Sequence, residues 1–204
     1  MILYPRHFAL ALMLLLFSAL TLPAAPATPL DQCLSRITLI HLGNGLRLLF
    51  SPDSTQSQTV VTVFHTLGTA LDTPQNMGMT YLAGELTGAP TRDLPALERF
   101  RLLRQNGGEQ TTRVTHDGFY IQVEAPPYMT EEVLWMEEQR LTSITFPPDM
   151  AVQTQQRLLQ RLDAALQSPI FQAQVRQIAQ VLDTGPYRTP PFGTRQTLSH
   201  LPLI

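Results

Sequence analysis

Lysine is absent from the chain. All 14 basic side chains are arginine, they face 16 acidic ones, and only 15% of the residues are charged. A formal net charge of −2 provides no basic surface, which excludes binding to the phosphates of a nucleic acid as a function class. Cysteine occurs once, as Cys33, so no intramolecular disulfide can form. Leu30-Asp31-Gln32 before it is too bulky and polar for a bacterial lipid-attachment signal, and the expectation is an inert thiol near the terminus. No internal repeat and no low-complexity tract is present, which excludes solenoids and arrays. Long hydrophobic runs are lacking after residue 22.

The one long apolar run, Phe8 to Leu22, follows Arg6 and His7 and ends at Pro23-Ala24-Ala25-Pro26-Ala27. It is shorter than the roughly 20 residues that span a bilayer. A charged start, a short apolar centre and an A-x-A ending form a signal peptide, with cleavage expected after Ala27. The mature protein is then expected in the periplasm or outside the cell, with no stable membrane insertion after cleavage. Residues 28–36 read as an extended lead-in, and 37–204 as one domain.

Within that domain, Ile37 to Leu42 and Leu46 to Phe50 flank Gly43-Asn44-Gly45, the strongest turn signal in the chain, and predict a hairpin. Gln58 to Leu67 is β-branched and apolar and predicts a buried strand ended by Gly68. Met79, Leu82, Ala83 and Leu86 recur at helical spacing up to Gly88-Ala89-Pro90, and a second helix is predicted from Leu94 to Gln105. Glu109 to Glu124 predicts a long strand or a hairpin pivoting at Asp117-Gly118. Thr130 is the expected cap of the next helix, with Glu131 and Glu132 in its first turn. Stripes at Leu158, Leu159, Leu162, Ala165 and Leu166, and at Phe171, Val175, Ile178, Ala179 and Leu182, predict two more helices. Strands followed by helices give an α+β fold, a mostly antiparallel or mixed sheet with helices on one face.

Five strings occur in one order along residues 37 to 200: Leu42-Gly43-Asn44-Gly45-Leu46-Arg47, Thr66-Leu67-Gly68-Thr69, Gly78-Met79-Thr80-Tyr81-Leu82, Gly107-Gly108 with Asp117, and Gly185-Pro186-Tyr187-Arg188-Thr189-Pro190-Pro191-Phe192-Gly193-Thr194. Together they resemble the N-terminal domain of the insulinase/pitrilysin zinc peptidases, which include the mitochondrial processing peptidases. The resemblance implies a helix carrying H-x-x-E-H, two zinc histidines and a general base. Here the string is Tyr81-Leu82-Ala83-Gly84-Glu85: Tyr81 and Glu85 stand for the histidines and Gly84 for the base. Sliding by one residue keeps Glu85 as the base but puts Leu82 and Leu86 at the histidine positions. The third ligand position falls on Leu162 or Asp163, depending on register. Zinc is the cofactor that the resemblance implies, and its ligands are absent in either register, so no cofactor is expected. A glycine inside a helix costs about 1 kcal/mol relative to alanine, and Gly84 reads as a mark of lost selection.

The remaining histidines, His41, His65, His116 and His200, form no H-x-x-E-H or H-E-x-x-H pair. His116 and Asp117 could form a relay only within a turn, because neighbours in a strand face opposite ways. The asparagine-alanine pair of the family's substrate-docking edge strand is replaced by Thr111-Thr112.

The resemblance therefore implies a non-catalytic homologue of a zinc metallopeptidase, whose partner would be a catalytic insulinase-family homologue or a second copy, with peptides as ligands. Three alternatives stand beside it. They are an active metalloendopeptidase with an atypical metal site, a free-standing module that binds peptides on a sheet edge, and a decayed fragment, since the chain stops at Ile204 about where that family's next helix would begin.

Overall fold

The computed structural model describes residues 34–182 and 184–203. The signal peptide expected over residues 1–27, and Cys33, lie outside the described residues. The chain forms two compact units, which divide between Thr55 and Gln56.

The first unit holds one antiparallel hairpin, β1 (Thr38–His41) and β2 (Arg47–Phe50), with Ile40 opposite Leu48. Its three-residue turn is the one Gly43-Asn44-Gly45 predicts. Gly45 N bonds to Leu42 O at 3.0 Å, Asn44 Oδ1 accepts from Leu46 N at 3.1 Å, and Gly45 takes φ of 86°, a left-handed conformation that glycine adopts without cost.

The second unit is built on a three-stranded antiparallel sheet in the order β3 (Thr59–His65), β5 (Phe119–Ala125), β4 (Glu109–Val114). The segment 109–125 is thus the hairpin of the two predicted possibilities, turning at Thr115 to Gly118, where Thr115 N bonds to Gly118 O at 2.9 Å. Phe119, Ile121, Val123 and Ala125 alternate along β5 and are all buried. Their face packs on α2 (Ala96–Gln105) and α3 (Thr130–Thr142) through Leu94, Leu103, Met129, Val133 and Met136. Ile121 and Val123, at 0% and 1% exposure, each contribute roughly 1.5–3 kcal/mol by burial. A second apolar cluster joins α1 (Met79–Leu86), α4 (Pro148–Gln167) and α6 (Arg195–Ser199) through Leu82, Leu158, Leu198 and Leu201. The helix α5 (Pro169–Val181) completes the set. This is the α+β fold the sequence predicts.

Three details differ from expectation. Only alternate residues of β3 are half-buried, because one of its faces packs on the helix-side core through Val61, and Val60 and Phe64 on the other face are more than half exposed, where a buried strand was predicted. Thr130 is the first residue of α3 and not its cap: its hydroxyl donates back to Pro127 O at 2.7 Å. The second helix begins at Ala96, two residues later than predicted, because Thr91 N and Oγ1 hold the carbonyl of Leu94 in a turn before Pro95.

Candidate functional site

The residues at the peptidase-motif positions lie on α1. Its N-terminus is fixed from outside the helix by Asp72, whose carboxylate accepts from Gly78 N at 2.9 Å, Thr80 N at 3.2 Å and Thr80 Oγ1 at 2.6 Å. A carboxylate at this end also favours the helix dipole. Tyr81 and Glu85, one turn apart, lie on the same side of α1. The Tyr81 ring meets Phe192 edge-on at 5.9 Å, and Phe192 in turn lies 5.7 Å from Phe171 of α5. Burial, followed by the negative charge of Glu85, pushes the Tyr81 hydroxyl above its ordinary pKa, and Arg161 opposes that shift.

Glu85 is occupied. Its Oε1 accepts from Arg161 Nη1 of α4 at 2.9 Å. The two positions that the resemblance offers for a third ligand point elsewhere: Leu162 is buried in the core at 4% exposure, and Asp163 pairs with Arg195 of α6. The residue of α4 that reaches the motif helix is therefore Arg161, which sequence reasoning missed. Nothing in the sequence alone singles Arg161 out from Leu162 and Asp163 beside it.

Gly84 has a packing role. A Cβ built on it would lie 2.5 Å from Cγ2 of Val114 in β4 and 3.7 Å from the ring of Phe119. The helix therefore approaches the sheet so closely that any side chain at 84 displaces Val114. The glycine thus has a packing reason, the close contact between α1 and β4, set against its cost in helix propensity.

These residues do not fit zinc. Tyr81 is a poor ligand with a raised pKa, Glu85 is held by a guanidinium that would repel a dication, and no side chain stands at 84 to activate water. Among the described residues, no group of three or more His, Cys, Asp and Glu is placed to hold a metal ion.

His41 is exposed at the end of β1, and the other three candidate histidines are engaged in packing and local contacts. His116 Nε2 donates to Thr189 O at 2.9 Å, and its ring lies 5.0 Å from Tyr187, whose hydroxyl donates to Asp117. His116 and Asp117 do share a turn, but each holds the loop around Pro186–Arg188 instead of the other. His200 Nδ1 bonds to Gln196 O at 2.7 Å. His65 stacks on Phe119 at 4.3 Å, and burial lowers its pKa below 6.5. A depressed histidine pKa favours the neutral ring, so its contribution to stability is present above pH 6.5 and is lost as pH falls through the folded-state value. Urea midpoints measured at about pH 7.5 and about pH 5.5 are expected to fall less between the two in His65→Phe than in the parent chain, because phenylalanine keeps the stack without taking a proton.

Thr111 and Thr112 lie in β4, one of the two edge strands of the three-stranded sheet. They pair with Gln122 and Ile121 of β5, so Thr112 faces the helices and Thr111 the opposite side. In an antiparallel pair alternate residues turn their N–H and C=O groups away from the neighbour, leaving a row along this edge that can receive another strand.

Near the first residues of β4 lies a buried polar group absent from the sequence reading. Arg140 of α3 donates to Glu137 Oε1 at 3.0 Å, to Gln110 Oε1 at 2.7 Å and to Thr87 O at 3.1 Å. Arg99 of α2 donates to Gly88 O at 2.8 Å and Ala89 O at 3.2 Å. Burial first, and then Arg140, push Arg99 down to about 10. The signal for this group was the apolar stripe Val133, Met136 continuing at the same helical phase into Glu137 and Arg140.

No protein-family model matches the chain, and no curated protein sequence matches it. Solved structures do. It superimposes with a TM-score of 0.77 at 18% identity on a protease from Helicobacter pylori, and with a TM-score of 0.71 at 14% identity on the inactive domain of a peptidase M16 from Pseudomonas fluorescens. Each match covers 82% of this chain and 41% of the other, so the chain spans about two fifths of the length of these neighbours. At these identities the likeness is one of fold: the chain shares its α+β architecture with these two structures.

Proposed function

We propose that the chain is a non-catalytic homologue of an insulinase-family zinc metallopeptidase, which works as a partner subunit or peptide-binding module of an exported peptidase. The observation that carries this reading is the pair of contacts at the motif helix. Arg161 neutralises Glu85 where metal would sit, and Val114 fills the space above Gly84 where a general base would stand. A domain stripped of its chemistry but keeping an open edge strand retains the means to hold an extended peptide by main-chain hydrogen bonds. Thr111 and Thr112 are the residues proposed to border that peptide.

Association with a catalytic homologue, or with a second copy, is supported by exposed apolar side chains. In the first unit Leu39, Leu49 and Phe50 are each more than half exposed, and in the second Phe64 and Val60 are as well. Apolar side chains left exposed within each unit favour association with a partner. Residues 1–27 are proposed to be removed on export to the periplasm or the medium.

Metal analysis and peptide hydrolysis test the reading directly. The purified chain is expected to bind no stoichiometric zinc and to cleave no peptide, and Tyr81→His is expected to restore neither, since a catalytic zinc needs three protein ligands and one histidine supplies only one of them. Stoichiometric zinc with hydrolysis in the parent chain, or activity in the single variant, would overturn it.

A further inference from the structure

A cleft of about 220 Å³ opens beside the first residues of β4. It is bordered by Arg99, Phe100 and Arg104 of α2 and by Gly108, Glu109 and Gln110 of the strand. Arg99 is 4% exposed, and its Nη1, enclosed behind the wall of the cleft, has no hydrogen-bond partner among the described residues, so a ligand in the cleft meets its charge and not a free N–H. Gln110 presents its amide oxygen to Arg140, so that end of the strand is backed by a second buried guanidinium. On the helix-facing side of the sheet, Arg99 and Arg140 stand against Glu137 alone. The acid that borders the cleft, Glu109, lies on the opposite side of β4 and faces Glu124 across the strands. Arg104, exposed and resting over the Phe100 ring at 5.5 Å, adds a further positive charge at the rim. The cleft is therefore short of one negative charge, and a buried guanidinium N–H without an acceptor is costly.

The position of the cleft along the strand decides what could supply that charge. β4 runs from Glu109 to Val114, and a peptide adding to its open edge in the antiparallel sense, the more stable of the two pairings, runs the other way. Its last residue then lies beside Gly108 and Glu109, where the cleft is. A parallel peptide would bring its N-terminal ammonium to the same place, and the arginines would repel it.

We infer that this cleft captures the C-terminal carboxylate of a peptide bound along the edge of β4, so that the ligands of this domain are peptides with a free C-terminus. The inference rests on the peptide-binding reading of β4. Capture of a terminal carboxylate by arginine is a charge-assisted interaction, worth more than a neutral hydrogen bond.

The test compares two hexapeptides of alternating valine and threonine, each carrying fluorescein at its N-terminus. One ends in a free carboxylate and the other in an amide, and each is titrated against the full chain by fluorescence anisotropy. The free acid is expected to bind about tenfold more tightly, a difference of about 1.4 kcal/mol. Because Arg99→Gln could unfold the domain, the variant to use is Arg104→Gln at the exposed rim, which is expected to weaken the acid several-fold and leave the amide unchanged. Equal binding of acid and amide, or equal weakening of both by Arg104→Gln, would overturn carboxylate capture while leaving the edge-strand reading intact. Binding of neither peptide would overturn both.

Discussion

A Gly84→Glu variant, which puts a carboxylate back at the general-base position, is expected to lose about 3 kcal/mol of stability and to gain no activity. The loss is a sum of opposed effects. Replacing a helical glycine recovers somewhat less than about 1 kcal/mol of propensity. Against this, the new Cβ falls 2.5 Å from Val114 Cγ2, and overpacking of this kind costs about 1–3 kcal/mol. Gly84 is also buried, so the rest of the side chain carries a charge into the contact between α1 and β4 with no cation there to meet it. In a domain of this size each kcal/mol moves Tm by about 2–4 °C, so a drop of roughly 10 °C is the expected reading. Val114→Ala should relieve the clash, and the double variant should be more stable than the sum of the two single losses by about 1 kcal/mol or more. Strict additivity would show that the two residues do not press on one another. Neither variant should hydrolyse peptide, because the metal positions remain Tyr81 and an ion-paired Glu85.

The same contact shows where the sequence could be read and where it could not. The hairpin at Gly43-Asn44-Gly45, the helix from Met79 and the second half of α4 were legible, and the hairpin of β4 and β5 was one of two readings, because turn chemistry and apolar period are local properties. That no H-x-x-E-H string occurs is read from the sequence alone. The reason for Gly84 was not legible: propensity assigns a helical glycine a cost, whereas its benefit is a strand from 30 residues further along lying against it. Arg161 was missed because the motif alignment drew attention to Leu162 and Asp163, and only the packing of α4 on α1 shows which of three neighbours faces Glu85. The exposed face of β3 was likewise hidden, since an apolar β-branched run does not say whether one or both faces of its strand are covered.

The second large effect is expected at Glu137. Glu137→Ala should destabilise the chain by about 3–5 kcal/mol, the cost of leaving a buried charge without its partner. The side chains of Arg140 and Glu137 are 2% and 4% exposed, and their 3.0 Å ion pair joins α3 to the strand through Gln110 and to the end of α1 through the carbonyl of Thr87. Removing the carboxylate leaves Arg140 and Arg99 facing each other in a dry interior. The ion pair is nevertheless no strong source of stability in itself. Burial raises the Glu137 pKa despite the pull of Arg140, so desolvation outweighs attraction, and Glu137 Oε2 and Arg140 Nε lack partners among the described residues. A raised carboxyl pKa means that what this group contributes is fully present below pH 4.5 and is lost as pH rises through the folded-state value. Two outcomes follow from that balance. Glu137→Gln, which keeps an oxygen for Arg140, should lose less than Glu137→Ala. The double replacement Glu137→Leu with Arg140→Met should lose less than Glu137→Ala alone, because it removes both charges together and fills the space with apolar side chains. Urea unfolding of the four chains at neutral pH measures all of this. A double variant less stable than Glu137→Ala would show that the pair, and not merely the balance of charge around Arg99, holds α3 to the sheet.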